Sequence, residues 1–308
     1  MSVSDRLQDW AYAAGWSLVR RMPEGMAASM FNSAADVAAR RNGPRVQQLR
    51  RNLARVVPQA GAEELDELVR GSLRSYARFW RETFRLPGMD RQAICRKVDE
   101  AMVGRAMIDD VLSKGKGLIL VLPHTGNWDV SGMWLADRYG TFTTVAERLR
   151  PESLYRRFVS FRESMGFEIL PASATDFSPY RVLIERLKAN GVVCLTADRD
   201  LTRKGIPVTF FGEQTRMPAG PARLAAMTGA TILIVDQTFT EDGWGLRIHS
   251  PIVVGSRDEI PIATQRMADG FAADIAANPV DWHMLQKLWI ADLPEGKRKV
   301  LATAEERP

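Results

Sequence analysis

Cysteine is scarce in this chain: two residues among 308. Cys95 and Cys194 lie far apart, show no C-x-x-C spacing, and the second stands in an apolar, strand-like run. That excludes a disulfide framework and argues against a zinc site, and a reducing cytoplasm is the expected setting. Histidine is almost as rare, with His124, His249 and His283 too few and too scattered for a metal centre, and none is expected. No apolar run reaches the roughly 18 residues that a membrane-crossing helix needs. The first residues, with Asp5 and Asp9 among them, lack the charge order of a secretory signal. G-x-S-x-G, Walker A, H-E-x-x-H and a post-strand G-x-G-x-x-G are all missing. Serine hydrolase, nucleotide hydrolase, zinc protease and dinucleotide enzyme therefore lose their main support.

What is present is a globular composition, 45% hydrophobic, long enough for one large α/β domain or a domain with an appendage. Residues 101–308 hold 25 basic and 25 acidic side chains, whereas residues 1–100 hold 17 against 12. The whole formal excess of +5 is thus N-terminal, and 16 of those 17 bases are arginine.

Periodicity divides the chain near the same point. From Asp5 to Met22, Leu7, Trp10, Ala14 and Leu18 recur at helical spacing, Tyr12, Trp16 and Val19 widen the face, and Arg20-Arg21 close the end. Further helices are predicted over 23–39 and 62–84. Beyond Arg105 short β-rich runs alternate with helical stretches: 117–122, 142–145, 167–170, 192–197, 208–211, 231–235 and 246–254. This predicts an α/β fold, a central, largely parallel twisted sheet flanked by helices, with a helical N-terminal region over 1–100 and the α/β domain over 101–308. In such sheets ligands bind beyond the carboxyl ends of the strands. His124, Glu147 and Asp198 all follow predicted strands.

His124 is followed five residues later by Asp129, in Pro123-His124-Thr125-Gly126-Asn127-Trp128-Asp129. In one continuous helix the two would stand about 140° apart and could not meet. If the strand ends near Leu122 and a helix begins near Asn127, Asp129 falls in the first helical turn and can reach back to the imidazole. Asn127 suits the N-cap, and an acid in the first turn suits the helix dipole. A carboxylate on one ring nitrogen fixes the tautomer and leaves the other free to take a proton. With 37 acidic residues in the chain the spacing alone is weak, and its place at a strand-to-helix turn is what gives it weight. Backbone amides near Asn127 are a candidate oxyanion site. Arg199, Arg203 and Lys204 form a basic loop that could meet phosphates, although such a charge cluster is more often merely solvated. Phe210, Phe211 and Met217 fit either core or the wall of an acyl groove, and His249 and His283 read as structural.

His124-x4-Asp129, Ala146-Glu147-Arg148, Arg162, Thr196-Ala197-Asp198-Arg199-Asp200, Phe210-Phe211-Gly212, Met217-Pro218-Ala219-Gly220-Pro221 and Trp282-His283 together resemble the lipid A biosynthesis (lauroyl/myristoyl) acyltransferase superfamily, in order and spacing over roughly residues 105–290. The arginine-rich first hundred residues and the ending Trp282-His283-Met284-Leu285-Gln286-Lys287 look most like its actinobacterial branch acting on phosphatidylinositol mannosides. That resemblance implies transfer of a palmitoyl group from acyl-CoA, as co-substrate and with no resident cofactor, to the 6-hydroxyl of a mannose on the inositol 2-position. It implies His124 as general base with Asp129, Glu147 near the acceptor sugar, and Arg162 paired with Asp198, which stands where that branch often carries the longer glutamate.

Transfer of this kind needs an apolar tunnel beside His124, because each buried methylene contributes about 0.8 kcal/mol. The N-terminal helix, with Trp10 and Trp16 at a headgroup boundary and Arg6, Arg20 and Arg21 on anionic phosphates, would hold a peripheral enzyme on the cytoplasmic face of the plasma membrane. A helix packed on the sheet domain is the competing reading. No nucleic-acid partner is expected. A thioesterase using the same base with water, and a lipid carrier using the groove without the base, both stay open.

Overall fold

The computed structural model describes residues 15–148, 151–172, 178–200 and 205–295. After a helical segment at 15–21 come α1 (Glu24–Arg41), α2 (Pro44–Val56), α3 (Ala62–Arg85) and α4 (Arg91–Ala101). The chain continues through β1 (Met102–Val103), α5 (Arg105–Ser113), β2 (Leu118–Leu122), α6 (Trp128–Tyr139), β3 (Phe142–Ala146), α7 (Glu152–Glu163), β4 (Phe167–Pro171), α8 (Ser178–Lys188) and β5 (Val192–Thr196). A two-stranded hairpin, β6 (Ile206–Phe210) and β7 (Glu213–Met217), precedes α9 (Gly220–Thr228), β8 (Thr231–Phe239), β9 (Trp244–Ile248) and α10 (Ile260–Ala277).

The main sheet runs β1-β9-β8-β2-β5-β3-β4, with every pair parallel except β8–β9. This is the expected fold class. All five residues of β2 are buried, as a central parallel strand covered on both faces requires. Ile119 and Val121 join the core on one face with Ile232, Ile234 and Phe271; Leu118, Leu120 and Leu122 join the other with Leu233, Trp134 and Phe142.

β1 and β7, with α2 and α4 inside the region expected to be helical, have no predicted range. β1 is only two residues long, and β7 (Glu-Gln-Thr-Arg-Met) carries too many polar residues to read as a strand. α2 buries Gln48 and Asn52 on the face where an apolar stripe would be sought. Their polarity has a use: Asn52 Nδ2 donates to the Met284 and Gln286 carbonyls at 2.7 and 2.9 Å, and Gln48 Nε2 donates to Asp292 Oδ2 at 2.9 Å. An irregular C-terminal stretch is thereby held along the helices.

Trp16 does not lie at an open surface, which corrects the expectation for it. Its ring packs 5.1–5.7 Å from Phe84, Phe158 and Phe161, and its Nε1 donates to the Phe84 carbonyl at 2.9 Å. The face that 15–21 leaves outside carries Leu18, Arg20 and Arg21 instead. Arg6 and Trp10 lie outside the described residues.

Gly117 enters β2 at φ +80°, and a Cβ there would stand 2.4 Å from the Leu187 carbonyl oxygen. Since the obstacle is backbone, no side-chain rotation relieves it. Gly117→Ala is expected to lower stability by about 2 kcal/mol or more, from the left-handed backbone and the overlap together. Denaturant melts of the two proteins check this.

Candidate active site

Register puts the base and its carboxylate side by side. β2 and β5 are parallel neighbours with Leu122 paired to Thr196, so two steps further along each strand come His124 and Asp198. His124 Nδ1 meets Asp198 Oδ1 at 2.5 Å, and the His124 backbone amide donates to Asp198 Oδ2 at 3.0 Å. The indole Nε1 of Trp282 donates to the same Oδ2 at 3.1 Å. Asp198 is fully buried, and these three donors replace its water. Nε2 of His124 is left for a substrate, and the ring borders a cavity.

The expected partners are thus exchanged. Asp129 does not hold His124: Arg162 Nε donates to Asp129 Oδ1 at 2.7 Å and Thr83 Oγ1 donates to Oδ2 at 3.2 Å. Nor does Arg162 pair with Asp198. The strand end and helix start fall as expected, and Asn127 Oδ1 caps α6 by accepting from the amides of Asp129 and Val130 at 3.2 Å each. Once the helix begins, however, it is Trp128 that turns its edge to the imidazole, with ring centroids 5.7 Å apart at 81°. Asp129, one residue further round, points at α3 and α7. The cap engages the Asp129 and Val130 amides, so these two are not free to meet an oxyanion.

Burial alone would drive the imidazole toward neutrality, but the charge and hydrogen bond of Asp198 outweigh it and raise the His124 pKa above the usual histidine value. The Arg199 guanidinium opposes this modestly. Burial likewise disfavours the Asp198 carboxylate, yet the imidazole and the Trp282 indole hold its pKa below the ordinary range. His283 is different. Burial, with His124 nearby, pushes its pKa down to about 3, so it stays neutral, its Nε2 3.0 Å from Ser75 Oγ. His249 pairs with Asp274 at 2.8 Å, away from the cavity lining.

α3 supports the site at both ends. Glu82 accepts from Asn127 Nδ2 at 2.7 Å and Thr83 reaches Asp129, while Ser72 and Ser75 donate to the Trp282 carbonyl and the Asp281 carboxylate at 3.2 and 2.7 Å. The segment 281–283 in turn pairs with the His124 turn: Gly126 N donates to Asp281 O at 3.1 Å and His283 N to His124 O at 2.9 Å. None of these α3 residues could be singled out in sequence, where they are polar positions on an amphipathic helix. Trp282 was visible only as part of a family pattern.

A cavity of about 720 Å³ opens beside His124, within the usual range for ligand sites. Leu120, Leu122, Trp134, Leu135, Phe142 and Phe167 line it between sheet and helices, in keeping with the expected apolar tunnel. Glu147, Arg162 and Arg199 lie on it too, with Asp200 and Arg223. Phe210 and Met217 do not; they are buried in the core against Trp282 and Trp289. Arg203 and Lys204 lie outside the described residues.

A histidine backed by a buried carboxylate, at the carboxyl end of a parallel sheet and beside an apolar cavity, is an arrangement that acyl chemistry can use. The family profile for bacterial lipid A biosynthesis acyltransferase matches residues 1–291, and the chain belongs to this family. It is 54% identical over 298 residues to the phosphatidylinositol mannoside acyltransferase of Mycolicibacterium smegmatis, covering 97% of this chain and 96% of that protein. To the protein of the same name from Mycobacterium tuberculosis (strain CDC 1551 / Oshkosh) it is 52% identical over 300 residues, covering 97% and 94%.

The two ion pairs predict different losses. Asp198→Asn removes the charge that raises the His124 pKa and disturbs its tautomer, so activity should fall about 10³- to 10⁴-fold while the fold persists. The acid limb of kcat/KM, expected in the parent above the usual histidine value because Asp198 raises the His124 pKa, should move to lower pH in the variant. Arg162→Ala instead strands a buried carboxylate and should cost about 3–5 kcal/mol of stability in denaturant melts.

Proposed function

We propose that this chain is an acyl-CoA-dependent O-acyltransferase that moves a long acyl group, palmitoyl foremost, to the 6-hydroxyl of a mannose in a phosphatidylinositol mannoside. The observation that carries the reading is the Asp198–His124 contact at 2.5 Å, which leaves Nε2 as a proton acceptor beside an apolar cavity. The names of the two relatives supply the acceptor class.

The chemistry is direct transfer. As the mannose oxygen bonds to the thioester carbon, its proton passes to His124 Nε2, and Asp198 stabilises the imidazolium; such base catalysis contributes about 10²- to 10⁴-fold. When the tetrahedral species collapses, the C–S bond breaks and the imidazolium returns the proton to the departing thiolate. Cys194 lines the cavity but is no nucleophile, because burial pushes its thiol up to about 12 and keeps it protonated. No metal or resident cofactor has a part in this scheme. In this reading Glu147, on the cavity lining, orients the sugar, and Arg199, also on it, meets phosphates of the donor or of the lipid together with Arg203 and Lys204, which lie outside the described residues.

The protein would work as a peripheral enzyme on an anionic membrane, at the cytoplasmic face of the plasma membrane and without nucleic acid. No helix among the described residues is long and apolar enough to cross a bilayer. Support for surface binding comes from Leu18, Met26 and Met30, exposed by 62, 59 and 42%, close in sequence to Arg20 and Arg21.

Palmitoyl-CoA and a purified phosphatidylinositol mannoside, with products read by mass spectrometry, test the reaction. His124→Ala should abolish transfer while circular dichroism shows the fold retained, with a lower melting temperature because buried Asp198 loses its imidazole partner. Equal thiol release with and without the acceptor lipid would make the protein a thioesterase, and unchanged activity in His124→Ala would exclude the base. For the membrane, Leu18, Met26 and Met30 changed together to Glu should reduce co-sedimentation with phosphatidylinositol-containing vesicles several-fold; equal sedimentation would remove this surface from the proposal.

A further inference from the structure

An acyl transfer needs donors where negative charge develops on the carbonyl oxygen, and several of the amides around His124 are already engaged. His124 N is spent on Asp198, Thr125 N on the Pro123 carbonyl and Gly126 N on the Asp281 carbonyl. Those of Asp129 and Val130 are held by the Asn127 cap.

One side chain nearby is buried, polar and unsatisfied. Gln237 lies on β8, the strand that flanks β2 on the side opposite β5. Val121 pairs with Ile234, so three steps further along each chain come His124 and Gln237. The approach is close: Gly126, at φ +53°, would carry a Cβ 2.9 Å from the Gln237 carbonyl oxygen and 3.2 Å from its Cβ. Gln237 is 1% exposed and borders the same cavity as His124, Trp128 and Ser131. Its Oε1 accepts from Ser131 Oγ at 2.6 Å, whereas its Nε2 is buried without a hydrogen-bond partner. The 2.6 Å separation suits O–H···O and is short for N–H···O, so oxygen faces Ser131 and the NH₂ group is the end left over. A desolvated donor with no acceptor is costly to keep, and such groups mark places where a ligand completes the bonding.

We propose that the Gln237 side-chain amide is a catalytic donor that hydrogen-bonds the carbonyl oxygen of the acyl thioester and strengthens that bond as the oxygen becomes anionic. This rests on the acyltransfer reading above. His124 then has its carboxylate on one neighbouring strand and the oxyanion donor on the other. As the sugar oxygen bonds to the carbonyl carbon, the π pair moves onto the oxygen facing Nε2 of Gln237 and the hydroxyl proton moves to His124. Collapse restores the C=O bond, expels the thiolate and sends the proton after it. Ser131 orients the amide and touches no reacting atom.

Steady-state kinetics with palmitoyl-CoA and a phosphatidylinositol mannoside test this on the full chain. Gln237→Met keeps the length of the side chain without the donor, and Gln237→Glu keeps an acceptor for Ser131 but places oxygen where Nε2 stood. Both should lower kcat about 10²- to 10³-fold, as loss of an oxyanion donor does elsewhere, with KM for palmitoyl-CoA little changed. Ser131→Ala, which leaves the amide in place but loosens it, should show a smaller loss, again in kcat. Wild-type kcat in the Gln237 variants, or a raised KM with kcat intact, overturns the proposal. A failure of the underlying reading is distinct: parent protein without transfer activity, or His124→Ala as active as the parent.

Discussion

A carboxylate with no exposure to solvent organises this molecule. Asp198 is tolerable inside the protein only because an imidazole, a backbone amide and an indole surround it. The dependence is mutual: the same charge that makes the buried aspartate acceptable keeps the His124 ring oriented and more basic than usual. Each donor is then secured in turn. Trp282 is fixed by backbone pairing of 281–283 with the His124 turn, and that segment by Ser72 and Ser75 of α3. The helical region before the sheet is therefore part of the framework that sets the angle of the base.

The second buried pair has a different chemical character. Arginine side chains do not deprotonate in proteins, so the partner that Asp129 faces is a permanent cation. Histidine is a side chain that can gain and lose its proton, so Asp198 faces a charge that comes and goes. Only the latter pair can take part in proton transfer. The former ties α6 to α7 and α3 beneath the site, holding the helix whose first residue, Trp128, edges the imidazole. Two aspartates with complementary partners close by can be exchanged on paper without violating any local rule, yet their roles are not interchangeable.

That exchange marks how far the sequence could be read. Strand ends, the Asn127 cap and the turn carrying His124 were legible because they rest on local signals: an apolar run, a capping side chain, a proline and a glycine. Which strand end faces which is decided by crossovers through whole helices, and no local pattern encodes it. Asp198 and Arg162 were both recognised as site residues, and both were given the wrong partner for this reason. Glu82, Thr83, Ser72 and Ser75 were invisible since a polar residue on the buried face of a helix reads as an ordinary polar position. Gln237 was missed on other grounds. β8 runs on to Phe239, past the apolar stretch that defined it, and its last turn inward places an amide where the pattern alone showed the strand already finished.

The cavity explains why so much polar bonding is concentrated at one end of the sheet. A long acyl chain is held by area, about 0.8 kcal/mol for each buried methylene, and that contribution is the same before and during the reaction. It brings the thioester to the strand ends without lowering the barrier. Rate must come from groups whose interactions strengthen as charge develops, and these need a dry environment and fixed geometry. The carboxyl ends of β2, β5 and β8 meet both needs: parallel pairing sets their spacing, apolar side chains below exclude water, and the polar residues of α3 and of 281–283 hold what protrudes. Glu147 and Arg199 border the same cavity as these apolar side chains, so on the proposed reading an apolar donor and a polar acceptor would both find suitable lining beside the imidazole.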